Sequence, residues 1–207
     1  MLVMTPLELA TALKEAVLAG AACATVTIAY FGLSTWNRQL RGQADFDVAR
    51  SLARAMYKLR DEVEIARVAL VRASEFPPGY FEGSRSSKPA SVEADAWAHV
   101  FTERWKPVAE AARDFEAATL EAEALWGAQV RERTQVMHAC LRTLRTSMEA
   151  VVDNARSGGE DFKSDRDFGK EMRANVSARG DGSDPLSQRI RTAIEGIEAV
   201  IRPHLRR

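Results

Sequence analysis

The histidines and cysteines are the residues best suited to catalysis or metal binding, and their spacing favours neither. His99, His138 and His204 are widely separated, and none has a second histidine four residues away, the spacing of helical zinc sites. His138 and Cys140 are two residues apart, so on a helix their side chains would point about 200° from each other. With Cys23 far away in the sequence, a disulfide framework is also excluded, and the cysteine usage is typical of a reducing cytosol.

The acidic and glycine-rich stretches lack the patterns of known ligand sites. Residues 180–184 have too few oxygen ligands for a calcium loop and no closing glutamate. The Ser-Gly-Gly sequence at 157–159 is not followed by the lysine of a phosphate loop, and no nucleophile motif occurs in the chain. Asp165 and Asp167 lie in a predicted loop whose sequence gives no sign of an apolar pocket around them. We therefore predict that the protein is not an enzyme, with no catalytic, cofactor-binding or metal-binding residue, no cofactor and no small-molecule substrate.

The charge distribution argues against nucleic acid as a partner. The chain has 29 basic and 29 acidic residues and so no net charge, whereas domains that bind nucleic acid carry a strongly basic face. Residues 38–60 include six basic and two acidic residues. Residues 93–130 include eight acidic and three basic residues. The two segments are complementary and could lie side by side.

The most prominent element is an uncharged stretch of 22 residues from Ala16 to Asn37. As a helix it would be ~33 Å long, about the thickness of the hydrocarbon core of a bilayer. We predict a single-pass transmembrane helix, and the alternative is a helix fully buried in a soluble bundle. The large apolar and aromatic residues of this predicted anchor are Val17, Leu18, Val26, Ile28, Tyr30, Phe31, Leu33 and Trp36.

The charges on either side of the stretch predict its orientation. Six basic residues lie between Arg38 and Arg60, whereas Lys14 is the only one before the anchor. Because basic flanks stay on the cytoplasmic side, we expect the N-terminus outside and the C-terminal domain in the cytoplasm, at an inner membrane. The alanine- and arginine-rich composition is typical of a bacterial protein.

A heptad pattern follows the anchor. Apolar residues recur in alternating steps of three and four from Ala49 to Ala73, the pattern of a helix that packs along a seam. We expect this seam to be buried within the monomer, against the apolar residues of 108–125 and a final helix. The helix-helix seam consists chiefly of Leu52, Met56, Leu59, Val63 and Leu70.

The rest of the chain predicts further helices and no strand. The sequence Phe-Pro-Pro-Gly at 76–79 ends the seam helix, and a later turn is expected at Pro107 or Gly127. Phe76, Tyr80 and Phe81 lie in the loop that follows, where they either close the bundle core or form a partner-binding loop. Helices are predicted at about 44–75, 91–105, 108–156 and 185–202, with loops at 76–90 and 157–184.

The predicted fold class is all-α. Residues 1–37 carry the membrane anchor, and residues 38–207 form an antiparallel helical bundle or coiled-coil domain. This organisation predicts a membrane-anchored interaction or scaffold protein whose partners are membrane lipid, another protein and a second copy in a homo-oligomer. One alternative is an oligomerising effector that permeabilises the bilayer, because small residues such as Gly20 and Ala24 allow anchors to pack closely. A further alternative is a soluble all-helical binding module.

Overall fold

A computed structural model describes residues 6–82 and 88–205, and these residues contain helices and no strand. The prediction of an all-α fold is therefore confirmed. Residues 83–87 of the predicted loop lie outside the described residues, as do the side chains of Val17 and Leu33 in the predicted anchor. The α-helices are α1 (Pro6–Ala66), α2 (Ala90–Trp126), α3 (Ala128–Arg156), α4 (Glu160–Ser164), α5 (Arg166–Val176) and α6 (Pro185–Leu205), with a 3-10 turn at Ala73–Glu75.

The chain divides between Phe46 and Asp47 into two units. In the first unit every residue from 18 to 31 is exposed. No helix in the described part of the chain is long and apolar enough to cross a membrane. Among the described residues of this unit, the large apolar side chains that are 59–73% exposed are Leu18, Val26, Ile28, Tyr30, Phe31 and Trp36.

The part of α1 that carries the heptad seam belongs to the core of the second unit. Leu52, Met56, Leu59 and Val63 are at most 2% exposed and belong to one core cluster. The same cluster contains residues of α2, α3 and α6 at helical spacing, so the seam packs within this unit. The residues from the other helices with almost no exposed surface include Val108, Phe115, Met137, Leu144, Leu186 and Ile197.

Polar contacts on the rim of the core join α1 to its neighbours. Lys58 Nζ lies 2.8 Å from Asp114 Oδ2 on α2, which is one pair between the basic and the acidic segment. Tyr57 donates its hydroxyl to Glu198 Oε1 on α6 at 2.6 Å, and this bond raises the pKa of the Tyr57 hydroxyl. Exposed contacts of this kind contribute little to stability, so the core holds α1 in place.

The seam ends earlier than its sequence pattern. Helix α1 stops at Ala66, and Leu70 is 71% exposed, so the prediction that Leu70 belongs to the seam is wrong. The physical reason lies in two arginines. The side chain of Arg67 turns inward, and Arg104 donates to the carbonyl oxygens of Ala66, Val68 and Leu70 at 3.3, 2.7 and 3.0 Å. The N–H groups of Arg104 take the place of the backbone N–H groups that a further helical turn would have offered to these carbonyl oxygens.

Helix α2 continues through Pro107, contrary to the predicted interruption between 105 and 108. Phe101 and Val108, on either side of the proline, are both buried in the core, and this packing keeps the segment helical. The chain turns instead at Gly127, where φ is +81°. Glycine adopts this left-handed conformation without steric strain, so the helix can end there.

The predicted loop at 157–184 contains two helices. Asp165 accepts a hydrogen bond from the Phe168 backbone N–H at 2.9 Å and so caps α5, which extends to Val176. Phe162 of α4 and Met172 of α5 are buried. The few apolar residues of this segment are therefore enough to hold two short helices on the bundle.

Candidate binding groove

A buried arginine joins three elements of the second unit. Arg67 directly follows α1 and is 1% exposed. Its Nε donates to the Asn175 carbonyl oxygen at 2.7 Å, and Nη1 donates to Ser187 Oγ at 2.9 Å. Its Nη2 donates to the Ala174 carbonyl at 3.2 Å and to Asp184 Oδ1 at 2.6 Å. One guanidinium group thus fixes the end of α1 to α5 and to the start of α6.

Asp184, also 1% exposed, is the acidic partner in this network. It accepts from the backbone N–H of Ser187 at 2.9 Å and from the Ser187 hydroxyl at 2.7 Å, so it caps α6. Burial alone would raise the pKa of this carboxyl, but the bonds from Arg67 and Ser187 hold it well below its usual value. Asp184 is therefore ionised at neutral pH and balances the charge of Arg67.

Further hydrogen bonds extend the network to α3. Asn175 Nδ2 donates to Ser147 Oγ at 3.0 Å, and the Ser147 hydroxyl donates to the Thr143 carbonyl at 2.8 Å. The Ala178 backbone N–H donates to the Arg67 carbonyl at 2.9 Å. Helix α5 and the connection that follows it are thereby held from both sides.

A groove of about 1140 Å³ lies beside this network, between α5, the start of α6, α2 and the chain just after α1. Trp97 and Phe101 of α2, Val151 of α3 and Leu186 of α6 supply apolar lining. Of these, Phe101 and Leu186 also belong to the buried core. The apolar lining therefore rests on the core of the domain.

The rim of the groove is strongly basic. Lys170 and Arg173 on α5, Arg179 in the following connection and Arg189 on α6 all line it, with Glu171 as the acidic residue among them. Among the described residues, no carboxylate forms an ion pair with the three arginines. Their positive charge is thus available to a ligand.

A second groove, of about 630 Å³, lies between α2 and α3. Its apolar lining includes Trp105 and Met148, and its rim carries charges of both signs. Arg145 and Glu149 on that rim pair with each other at 3.1 Å. This groove offers an apolar surface whose charges are nearly balanced, with three basic and two acidic residues.

The aromatic loop proposed from the sequence packs onto α2 beside the basic groove. The ring of Phe76 stacks on that of Tyr80, with 4.9 Å between the ring centres, and meets the Trp97 ring edge-on, with 5.6 Å between the ring centres. Phe81 contacts Phe76 at 5.2 Å and keeps most of its side chain exposed. Phe76 therefore supports Trp97, and Phe81 is the member of the loop that a partner could reach.

His138, Cys140 and His204 do not line the groove. His138 Nε2 is 2.9 Å from Glu116 Oε2 on the surface, and His204 stacks on Trp126 with ring centres 4.0 Å apart. Cys140 is buried, and this burial raises the pKa of its thiol. Within the described part of the chain, no group of three histidine, cysteine or acidic residues could hold a metal ion.

The sequence analysis missed Arg67, Asp184 and the arginines of the groove. The one local signal is Asp184 before Pro185, which marks the start of the last predicted helix. Comparison with known proteins adds no further assignment. No family model matches the chain, and no curated protein and no solved structure matches it either.

Proposed function

We propose that this chain is a membrane-anchored interaction protein whose N-terminal helix enters the lipid and whose helical domain binds a protein partner. One observation carries the proposal: Val26, Ile28 and Phe31 are 63–73% exposed on a helix that has no charge from Ala16 to Asn37. A contiguous apolar surface of this kind needs a cover of lipid or protein.

The flanking charges support lipid as the cover. The uncharged helix has the length of a bilayer core, and Arg38 and Arg41 follow it directly. Basic residues at this position would keep the following domain in the cytoplasm and the N-terminus outside. The two cysteines, which form no disulfide with each other, suit that reducing compartment.

The polar centre of the domain supports binding rather than catalysis. Arg67 and Asp184 are each 1% exposed, and their hydrogen-bonding atoms are occupied by each other and by neighbouring helices. Such a pair holds elements in place and does not reach a substrate. The grooves beside it present apolar lining to a partner.

Carbonate extraction of the expressed full-length chain tests the anchor. We expect the wild type in the membrane fraction and a Val26→Arg/Ile28→Arg variant in the soluble fraction, because each arginine at a helix centre costs about 2.5–3.5 kcal/mol of insertion. An Ile65→Arg/Val92→Arg variant is the control, since it adds the same charges at exposed positions of the domain. Recovery of the wild type in the soluble fraction would favour the soluble binding module instead.

A dye-release assay separates the scaffold from the membrane effector. We expect vesicles reconstituted with the full-length chain to retain an entrapped dye, because one helix per chain leaves no aqueous path. Dye release that rises with protein concentration would identify an oligomerising effector and contradict the proposed scaffold role.

A further inference from the structure

We propose that the basic groove along α5 binds an acidic amphipathic segment of a partner protein. This inference rests on the proposed role as an interaction protein and specifies the chemistry of its partner. Arg173, Arg179 and Arg189 would pair with carboxylates. The lining around Trp97 and Val151 would receive apolar side chains from the same segment.

Charge complementarity selects the acidic partner. Arg179 and Arg189 are exposed and form no ion pair with a described residue, while Arg173 Cζ lies 5.1 Å from the centre of the Phe162 ring. Guanidinium groups bind carboxylates in a two-pronged geometry that a lysine cannot reproduce. A partner rich in aspartate or glutamate would therefore gain charge-assisted hydrogen bonds along one side of the groove.

The shape of the site favours a protein segment over a membrane surface. The groove is concave, and its apolar lining includes Trp97 and Val151, which are half-buried and so keep surface that a ligand can contact. A flat bilayer could reach the rim but not this lining. The volume of about 1140 Å³ exceeds that of most small-molecule pockets, and an amphipathic helix lying in a groove needs such room.

The groove is also held open by the domain itself. Arg67 bonds to the carbonyls of Ala174 and Asn175, so α5 keeps its position without a ligand. Arg104, which lines the opposite side, is fixed by Glu75 at 2.6 Å and by two loop carbonyls. A preformed site loses less conformational entropy on binding.

Three synthetic peptides test the proposal. Each would have about 15 residues, the length at which an isolated helix begins to be stable in water. All would carry leucines at helical spacing, with glutamate, glutamine or lysine at every polar position. Binding of each labelled peptide to the full-length chain in neutral detergent would be followed by fluorescence anisotropy. We expect the glutamate peptide to bind at least about tenfold more tightly than the other two, equivalent to about 1.4 kcal/mol.

A pair of double variants locates the binding site. Arg179→Gln/Arg189→Gln should weaken binding of the glutamate peptide about tenfold. Arg54→Gln/Arg142→Gln is the matched control, because both arginines are exposed, have no ion pair with a described residue and lie outside the groove. Its affinity should change less than about twofold. Far-UV circular dichroism would show that both variants keep their helix content.

Several results would overturn the proposal. They are the absence of glutamate-peptide binding, equal binding of the glutamate and glutamine peptides, and equal losses in the two double variants. A groove variant that loses affinity for anionic vesicles while peptide binding is unchanged would show that the arginines face lipid. These outcomes can be distinguished from those of carbonate extraction. A chain that stays in the membrane fraction but does not bind the glutamate peptide would refute only the proposed groove. A chain in the soluble fraction that binds the peptide would refute only the proposed anchor.

Discussion

Replacing Asp184 with asparagine removes the charge from the buried ion pair and keeps the size of the side chain. Arg67 would remain buried, and its positive charge would face only neutral acceptors, on Ala174, Asn175, Ser187 and the new asparagine. The protein would have to bury an uncompensated charge or open the contact between α1, α5 and α6.

The structure sets the size of the effect. Breaking a buried pair by removing one partner costs about 3–5 kcal/mol. In Asp184→Asn the amide oxygen can still accept from Arg67, and the other three hydrogen bonds of Arg67 are unaffected. We therefore expect a loss at the low end of this range, about 3 kcal/mol in the free energy of unfolding. Asp184→Ala also removes the cap on the Ser187 N–H, worth about 1 kcal/mol, and should lose about 4 kcal/mol. Both are large fractions of the ~5–15 kcal/mol total of a typical domain.

Urea titration of the full-length chain, followed by far-UV circular dichroism, measures the loss in the free energy of unfolding. Repeating the titration at several pH values provides a second test. The pKa of Asp184 is lower in the folded than in the unfolded protein, so its stabilisation is complete above the unfolded value of about 3.9. As the pH falls below that value, the unfolded state takes up the proton first and the stabilisation is lost. The difference in the free energy of unfolding between the wild type and Asp184→Asn should therefore become smaller below about pH 4.

A control in the same connection completes the test. Asp181 is exposed and accepts from the Ser183 N–H at 3.0 Å, and an asparagine oxygen can still accept that bond. Asp181→Asn should change stability by less than about 0.5 kcal/mol. If Asp184→Asn is as stable as this control, or if its difference from the wild type does not depend on pH, the assigned role of the ion pair is incorrect.

Three further predictions concern the core and the thiols. Leu59→Asp places a charge at a fully buried seam position and should lower the melting temperature through a loss of several kcal/mol; lost self-association with unchanged stability would show that the seam joins two chains. Gly169→Ala would bring a Cβ to 2.8 Å from Phe162 Cβ and should destabilise by about 1–3 kcal/mol in urea titration, and an unchanged midpoint would contradict this packing. In a Cys23→Ser variant, the buried Cys140 thiol, whose pKa burial raises, should react with a thiol reagent at neutral pH only after unfolding. Fast reaction of the native variant would contradict that expectation.

The sequence by itself determined the fold class and the main apolar surfaces. The steps of three and four that include Leu52, Met56, Leu59 and Val63 identify one face of one helix, and that face is buried. The uncharged stretch from Ala16 to Asn37 can also be identified from the sequence, because its length and its lack of charge do not depend on the fold. Helical periodicity reports which side of an element is apolar, and this local information was sufficient for these two features.

Only the tertiary structure decided where the elements end and what they bring together. Leu70 fits the heptad pattern, yet α1 stops at Ala66 because Arg67 turns inward to Asp184, 117 residues away in the sequence. Pro107 resembles a helix break, yet burial of residues on either side of it keeps α2 continuous.

The binding groove depends on the same long-range contacts. Arg173, Arg179 and Arg189 come from α5, the connection after it and α6, and no common periodicity relates them. They share one rim because Arg67 and Asp184 hold those elements together. A pairing of this kind depends on which helices meet, and that is set by the packing of the whole core rather than by the pattern of any one segment.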